Sequence, residues 1–90
     1  MKKHLTEVTK IYKITHKLTC EFYIGITKNT IGVDYFTSSK SISFSRETVN
    51  DWHIEILTES TDREYIWREE QRLIKENFNN PLNLNRHYRI

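Results

Sequence analysis

Apolar and polar positions alternate along three short stretches of this chain, then fall into a helical rhythm along a fourth. Thr9–Thr15 holds Ile11, Tyr12 and Ile14 in a β-branched and aromatic run, which predicts a strand. Glu21–Thr27 predicts the return strand, with Phe22, Ile24 and Ile26 on one face and Tyr23 and Gly25 on the other. His16-Lys17-Leu18-Thr19-Cys20 joins them as a turn that lacks the usual Gly or Asn. Tyr12 and Tyr23 therefore stand side by side on an antiparallel hairpin. Gly25 weakens its strand by roughly 0.5–1 kcal/mol relative to Ala, and its usual justification is close approach by another backbone or by a ligand. Asp51–Thr58 sets Trp52, Ile54 and Ile56 against His53 and Glu55, the alternation of a half-buried strand.

Ser60-Thr61-Asp62-Arg63-Glu64 predicts a helix start in which Thr61 caps and Glu64 reaches back. The helix is expected to run to about Asn77, with Ile66, Leu73 and Ile74 as its apolar stripe and Trp67 and Phe78 beside it. Asn79-Asn80-Pro81 stops it, and Pro81-Leu82-Asn83-Leu84-Asn85 follows as a short extended tail. Residues 28–47 read as loop. They include the hydroxyl-rich run Thr37-Ser38-Ser39-Lys40-Ser41, which is either a surface loop or helix start or a loop whose hydroxyls and lysine reach phosphate oxygens, and Arg46–Asn50 is expected to form a helical turn.

Ninety residues make one small domain, 1–90, which buries about 60–65% of the surface its unfolded chain exposes. Two Trp, five Tyr and four Phe supply much of the apolar area. The single cysteine, Cys20, excludes an internal disulfide framework and leaves a cysteine-based zinc site without ligands. No apolar run has membrane-spanning length, and no apolar segment follows the N-terminal lysines, so a cytoplasmic protein without a secretion signal is expected. Net charge is only +2, but Lys2, Lys3, Lys10, Lys13 and Lys17 crowd the first strand region, while acids gather between Glu47 and Glu70. A basic hairpin opposite a more acidic helix either attracts phosphate or is simply a solvated lysine face.

Glu70 is the sharpest anomaly. Ile66, Glu70, Leu73 and Ile74 stand at i, i+4, i+7 and i+8, which puts a carboxylate in the buried stripe. Such a group pairs, neutralises or binds a cation; at the stripe's edge it can also reach water. The tyrosines have a plain reading too, as a cross-strand aromatic pair. His4, His16, His53 and His87 show no metal-ligand spacing, and His16 near the turn is either solvated or shares in proton transfer.

Taken together, the motifs resemble the GIY-YIG nuclease superfamily over nearly the whole chain. Lys10-Ile11-Tyr12 keeps the Ile and Tyr of the first motif, and Tyr23-Ile24-Gly25 reproduces the second. Asp34-Tyr35-Phe36-Thr37-Ser38-Ser39 is similar to the Tyr-x-x-Ser-Ser stretch of phage-type and homing members. Glu70-Gln71-Arg72-Leu73-Ile74 resembles the family's metal-binding helix, and Pro81-Leu82-Asn83-Leu84-Asn85 its closing segment. The resemblance implies an α+β fold, a small three-stranded antiparallel sheet flanked by helices. It implies a DNA endonuclease using Mg²⁺ or Mn²⁺ held by Glu70, with Tyr12 taking a proton from the attacking water, Tyr23 positioning water or phosphate, and Asn85 holding sheet and helix in register or bonding a phosphate oxygen. Lys13, Gly25, Lys28, Ser38, Ser39 and Arg46 are the expected nucleic-acid contacts.

The chain departs from that pattern at one charged position. Many members place an arginine about where Val33 stands, and no arginine occurs here between Tyr23 and Arg46. Lys40, Lys28 or Arg46 are the candidate substitutes, with Lys40 the first choice; lysine lacks arginine's bidentate fork. No separate DNA-binding module is expected within 1–90, so site choice falls to DNA structure or to a partner protein. The alternative expectation is a catalytically degenerate domain that binds nucleic acid or protein.

Overall fold

The computed structural model describes residues 7–37 and 42–86. Lys2, Lys3, His4, Ser38, Ser39, Lys40, Ser41, His87 and Arg89 lie outside the described residues, and so do the roles expected of them.

Three strands form one antiparallel sheet in the order β2-β1-β3. They are β1 (Thr9–His16), β2 (Phe22–Thr27) and β3 (Trp52–Ser60). One α-helix, α1 (Arg63–Glu76), packs across β1 and β2. This is a small α+β fold with the expected three-stranded sheet. Among the described residues the flanking helices reduce to α1 and a single 3-10 turn at Val49–Asp51. No helix among these residues is long and apolar enough to cross a membrane.

β1 lies between its two neighbours, and alternation along it sends side chains into two apolar clusters. Ile11 joins Phe22, Ile24, Ile66 and Ile74 under α1. Tyr12 and Ile14 face the other way, into Ile31, Ile42, Phe44 and Trp52, with Tyr23, Tyr35 and Phe36 packed alongside. An antiparallel sheet commonly leaves one face wet. Here the long connection between β2 and β3 covers the face that α1 does not. β3 follows the expected alternation only at its start: Trp52 is buried and Ile54 half-buried, but Ile56 is exposed. The pairing of β3 with β1 slips by one residue between Ile11 and Tyr12, which leaves Leu57 as an exposed bulge.

Local chemistry sets the joints. The hairpin turn has no Gly, so Cys20 carries the positive φ of 66°. It is an exposed turn residue, as expected. His16 Nδ1 accepts from the Leu18 and Thr19 amides at 3.2 and 3.4 Å, and its ring packs edge-on to Trp52. The His16 lone pair thus serves the turn, not proton transfer. The helix cap is Asp62 and not Thr61: its Oδ1 accepts from the Tyr65 amide at 3.1 Å, while Glu64 is drawn to Arg68. A carboxylate at this position also complements the helix dipole.

Tyr12 stands directly opposite Gly25 in the β1–β2 ladder. A Cβ on Gly25 would lie 2.4 Å from the Tyr12 hydroxyl oxygen and 2.6 Å from Cζ. The close approach at Gly25 is therefore made by the Tyr12 phenol. Gly25→Ala is expected to destabilise the fold by about 1–3 kcal/mol, because the ring has no empty space to move into. Urea unfolding of the variant beside the parent checks this, and equal midpoints would contradict it.

Candidate active site

The β2 edge, the covering loop and the middle of α1 bring a group of polar side chains together. Tyr12 comes from the central strand and is 1% exposed. Tyr23 comes from the adjacent edge strand and is half-buried, with ring centroids 6.4 Å apart. Tyr35 meets Tyr12 edge-on at 6.0 Å. Its placement follows from a tight turn in which Gly32, at φ 86°, donates its N–H to the Tyr35 carbonyl at 2.8 Å while Asp34 Oδ1 accepts from the Thr30 amide.

Thr37 ties the phenols together: its side chain hydrogen-bonds with both Tyr12 and Tyr23. Thr37 itself sits at φ 77°. A β-branched residue in the left-handed region is strained, and such strain concentrates at functional sites. Sequence reasoning placed Tyr35 and Thr37 in a family-like stretch but not against the phenols, since a positive φ on threonine leaves no mark in composition or periodicity.

Glu70 occupies the sheet-facing side of α1 beside Tyr23, whose phenol its charge holds up. Burial pushes the Glu70 carboxyl above the usual carboxylate range, and the Gln71 Nε2 donating to Oε1 at 3.0 Å only partly offsets it. No Lys or Arg pairs with Glu70 among the described residues. The helix's other carboxylates behave differently: Glu69 and Glu76 both bond Arg72, and Glu64 bonds Arg68. A desolvated carboxylate without a countercharge suits a hard cation. Among the described residues no three His, Cys, Asp or Glu cluster together. An ion at Glu70 would therefore complete its shell with waters and phosphate oxygens.

The phenols are perturbed in the direction opposite to a base. Burial is the largest cause for each and pushes both Tyr12 and Tyr23 above their ordinary value, with Thr37 opposing it. Tyr12 is thus a neutral hydrogen-bonding group in this fold. The proton-accepting role expected for it has no support in its surroundings.

The remaining expected site residues are dispersed. Asn85 is 9% exposed and both ends of its amide are occupied: Oδ1 accepts from the Ile24 N–H at 3.0 Å, and Nδ2 donates to the Ile24 carbonyl at 2.9 Å. It continues the β2 ladder as a strand would. Asn83 links it onward, accepting from the Asn85 amide and donating to the Asn77 carbonyl at the end of α1. These bonds suit the holding role expected of Asn85. Lys13 lies on the opposite face of β1 from Tyr12, its Nζ 4.6 Å from the centre of the Phe22 ring. Lys28 sits beyond the end of β2, 3.4 Å from Glu7.

Arg46 returns to the place where an arginine is missing. Its Nη1 donates to the Val33 carbonyl at 3.4 Å, and its guanidinium lies over Phe36 at 5.0 Å. The guanidinium reaches the Val33 turn from thirteen residues downstream, a proximity that local spacing could not reveal.

The raised phenols give a pH dependence with a definite sign. The unfolded chain releases these protons near pH 10 and the folded chain does so later, so their stability contribution is whole below pH 10 and is lost above it. Phenolate absorbance is expected to show Tyr12 and Tyr23 still protonated through the ordinary tyrosine range, identified by subtraction with Tyr12→Phe and Tyr23→Phe. Free ionisation of both in the folded protein would contradict the burial argument.

No protein-family model, curated protein or solved structure matches this chain.

Proposed function

We propose that this chain is a metal-dependent DNA endonuclease of the GIY-YIG type, which hydrolyses a phosphodiester bond at the Glu70–Tyr23 edge of the sheet. One observation carries the reading: Glu70 is desolvated, has no countercharge among the described residues, and stands beside a half-buried tyrosine. A structural carboxylate in that position would be expected to pair with a lysine or arginine.

Glu70 is the residue that would hold Mg²⁺ or Mn²⁺. When bound, such an ion supplies positive charge at the scissile phosphate and at the leaving oxygen. Tyr23 orients the attacking water or a phosphate oxygen through its hydroxyl. Tyr12, enclosed and protonated, is a positioning residue: it fixes Thr37, and through Thr37 the rotamer of Tyr23. Water adds to phosphorus, the bond to the 3′ oxygen breaks, the water's proton passes to solvent and the leaving 3′ oxygen takes one from solvent, since both phenols stay protonated. Arg46 is the best-placed described candidate to neutralise charge developing on the phosphate. A cytoplasmic location and a partner or DNA structure that selects the site accompany this reading.

The second reading is a domain that holds nucleic acid without cutting it. The enclosure of Tyr12 favours it, because a buried neutral phenol is a poor base.

Incubation of supercoiled plasmid with Mg²⁺ or Mn²⁺ tests the choice. The parent is expected to nick or linearise DNA, EDTA to stop it, and Glu70→Gln to lower the rate by at least about 100-fold with the fold intact. Arg46→Ala is expected to lower the rate roughly 10- to 1,000-fold, the range for removing one charge-stabilising donor. Metal-independent cutting, or full activity in Glu70→Gln, would contradict the nuclease assignment. Absence of cutting by the folded parent on supercoiled, linear and branched DNA would favour the binding domain.

A further inference from the structure

One end of the sheet carries a feature that the nuclease reading leaves unused. Thr9 opens β1, Ile26 and Thr27 close β2, Lys28 follows, and Arg63, Glu64 and Trp67 face them from the first turns of α1. They enclose an open cleft of about 700 Å³, within the range of small-molecule sites. Trp67 lines it while 38% exposed, a large aromatic surface that the fold does not use. Thr9 forms part of the cleft wall and is 5% exposed.

The charge at the rim is available. Lys28 contacts Glu7 across 3.4 Å with both side chains near half-exposed, a weak surface pair that a phosphate can displace. Arg63 makes no ion pair among the described residues. The acid at the rim, Glu64, is held by Arg68 at 3.1 Å. An aromatic face with two adjacent cations matches a nucleotide: the base stacks and the cations meet its phosphate. The cleft also adjoins the candidate site, because Trp67 and Glu70 stand three residues apart on α1 and so are neighbours on its surface.

We propose that this cleft binds an unpaired nucleotide of the DNA strand, its base stacked on Trp67 and its phosphate held by Lys28 and Arg63. Resting on the nuclease reading, this makes the preferred substrate single-stranded, or a duplex with an unpaired base next to the cut. A fully paired duplex cannot present a base to Trp67 without unstacking it.

The test uses the full chain carrying Glu70→Gln, in EDTA, so that binding is read without cleavage. The ligands are a fluorescent dT oligonucleotide of roughly eight nucleotides and a blunt hairpin duplex. The dT strand is expected to bind more tightly than the duplex and to quench tryptophan emission. Trp67→Ala is expected to weaken dT binding roughly 5- to 100-fold, the range for losing one base–aromatic stack, while Trp67→Phe keeps most of the affinity. Indifference of dT affinity to Trp67→Ala, or a duplex bound as tightly as dT, would overturn the proposal. The two readings fail separately: Trp67-dependent dT binding without plasmid cutting sinks only the nuclease, and Glu70-dependent cutting with Trp67 indifferent sinks only the cleft.

Discussion

Everything in this fold depends on β1 being buried from both sides while paired along both edges. A central strand of eight residues has to supply apolar side chains to two clusters at once, and Ile11, Tyr12 and Ile14 do so. Tyr12 is the bulkiest of them and fits only because its partner across the ladder is Gly25. Apolar burial and the placement of a phenol are thus one constraint. Removing a full aromatic side chain at such a position typically costs about 3–5 kcal/mol, a large share of what a domain this size has in total.

The same enclosure sets the electrostatics of the candidate site. Burial raises Tyr12, Tyr23 and Glu70 together, so each is least comfortable when charged. Two of the three stay neutral at ordinary pH. Glu70 has one amide donor and no lysine or arginine paired with it among the described residues. Arg72, by contrast, is engaged on both sides by Glu69 and Glu76 on the outer face. The helix therefore separates its charges: compensated pairs toward solvent, and an uncompensated acid toward the tyrosines. Asn85 and Asn83 close the edge beside that acid and tie the end of α1 to β2 by amide hydrogen bonds.

Much of the fold was legible in the sequence because its signals are short-range. Period-two alternation located all three strands to within a residue or two, and the apolar stripe with its Asn-Asn-Pro stop located α1. The two clusters were foreshadowed by the opposite faces of β2. The covering loop was not legible, because its order comes from Gly32, Asp34 and long-range contacts of Ile31, Ile42 and Phe44 that no local period encodes. The same holds for the site. Glu70 was visible as a polar residue in an apolar stripe, and the tyrosines as neighbours on a hairpin. Thr37 stood in a hydroxyl-rich run and Arg46 among the substitutes for an arginine, but the bonds of Thr37 to two phenols and the return of the Arg46 guanidinium to Val33 come from the folded loop. The direction of the phenol shifts also needed the structure, since burial is a property of packing and not of spacing.

The central claim is that Glu70 is an anchor for a divalent cation. Mn²⁺ broadening of backbone amide resonances tests it most directly, because it reads the location of the ion without requiring catalysis. The account predicts that substoichiometric Mn²⁺ broadens the amides of Tyr23, Ile24, Glu70 and Gln71 first, and that Glu70→Gln removes the effect there. Broadening centred on the solvent-facing carboxylates Glu69 and Glu76, unchanged in Glu70→Gln, would contradict it.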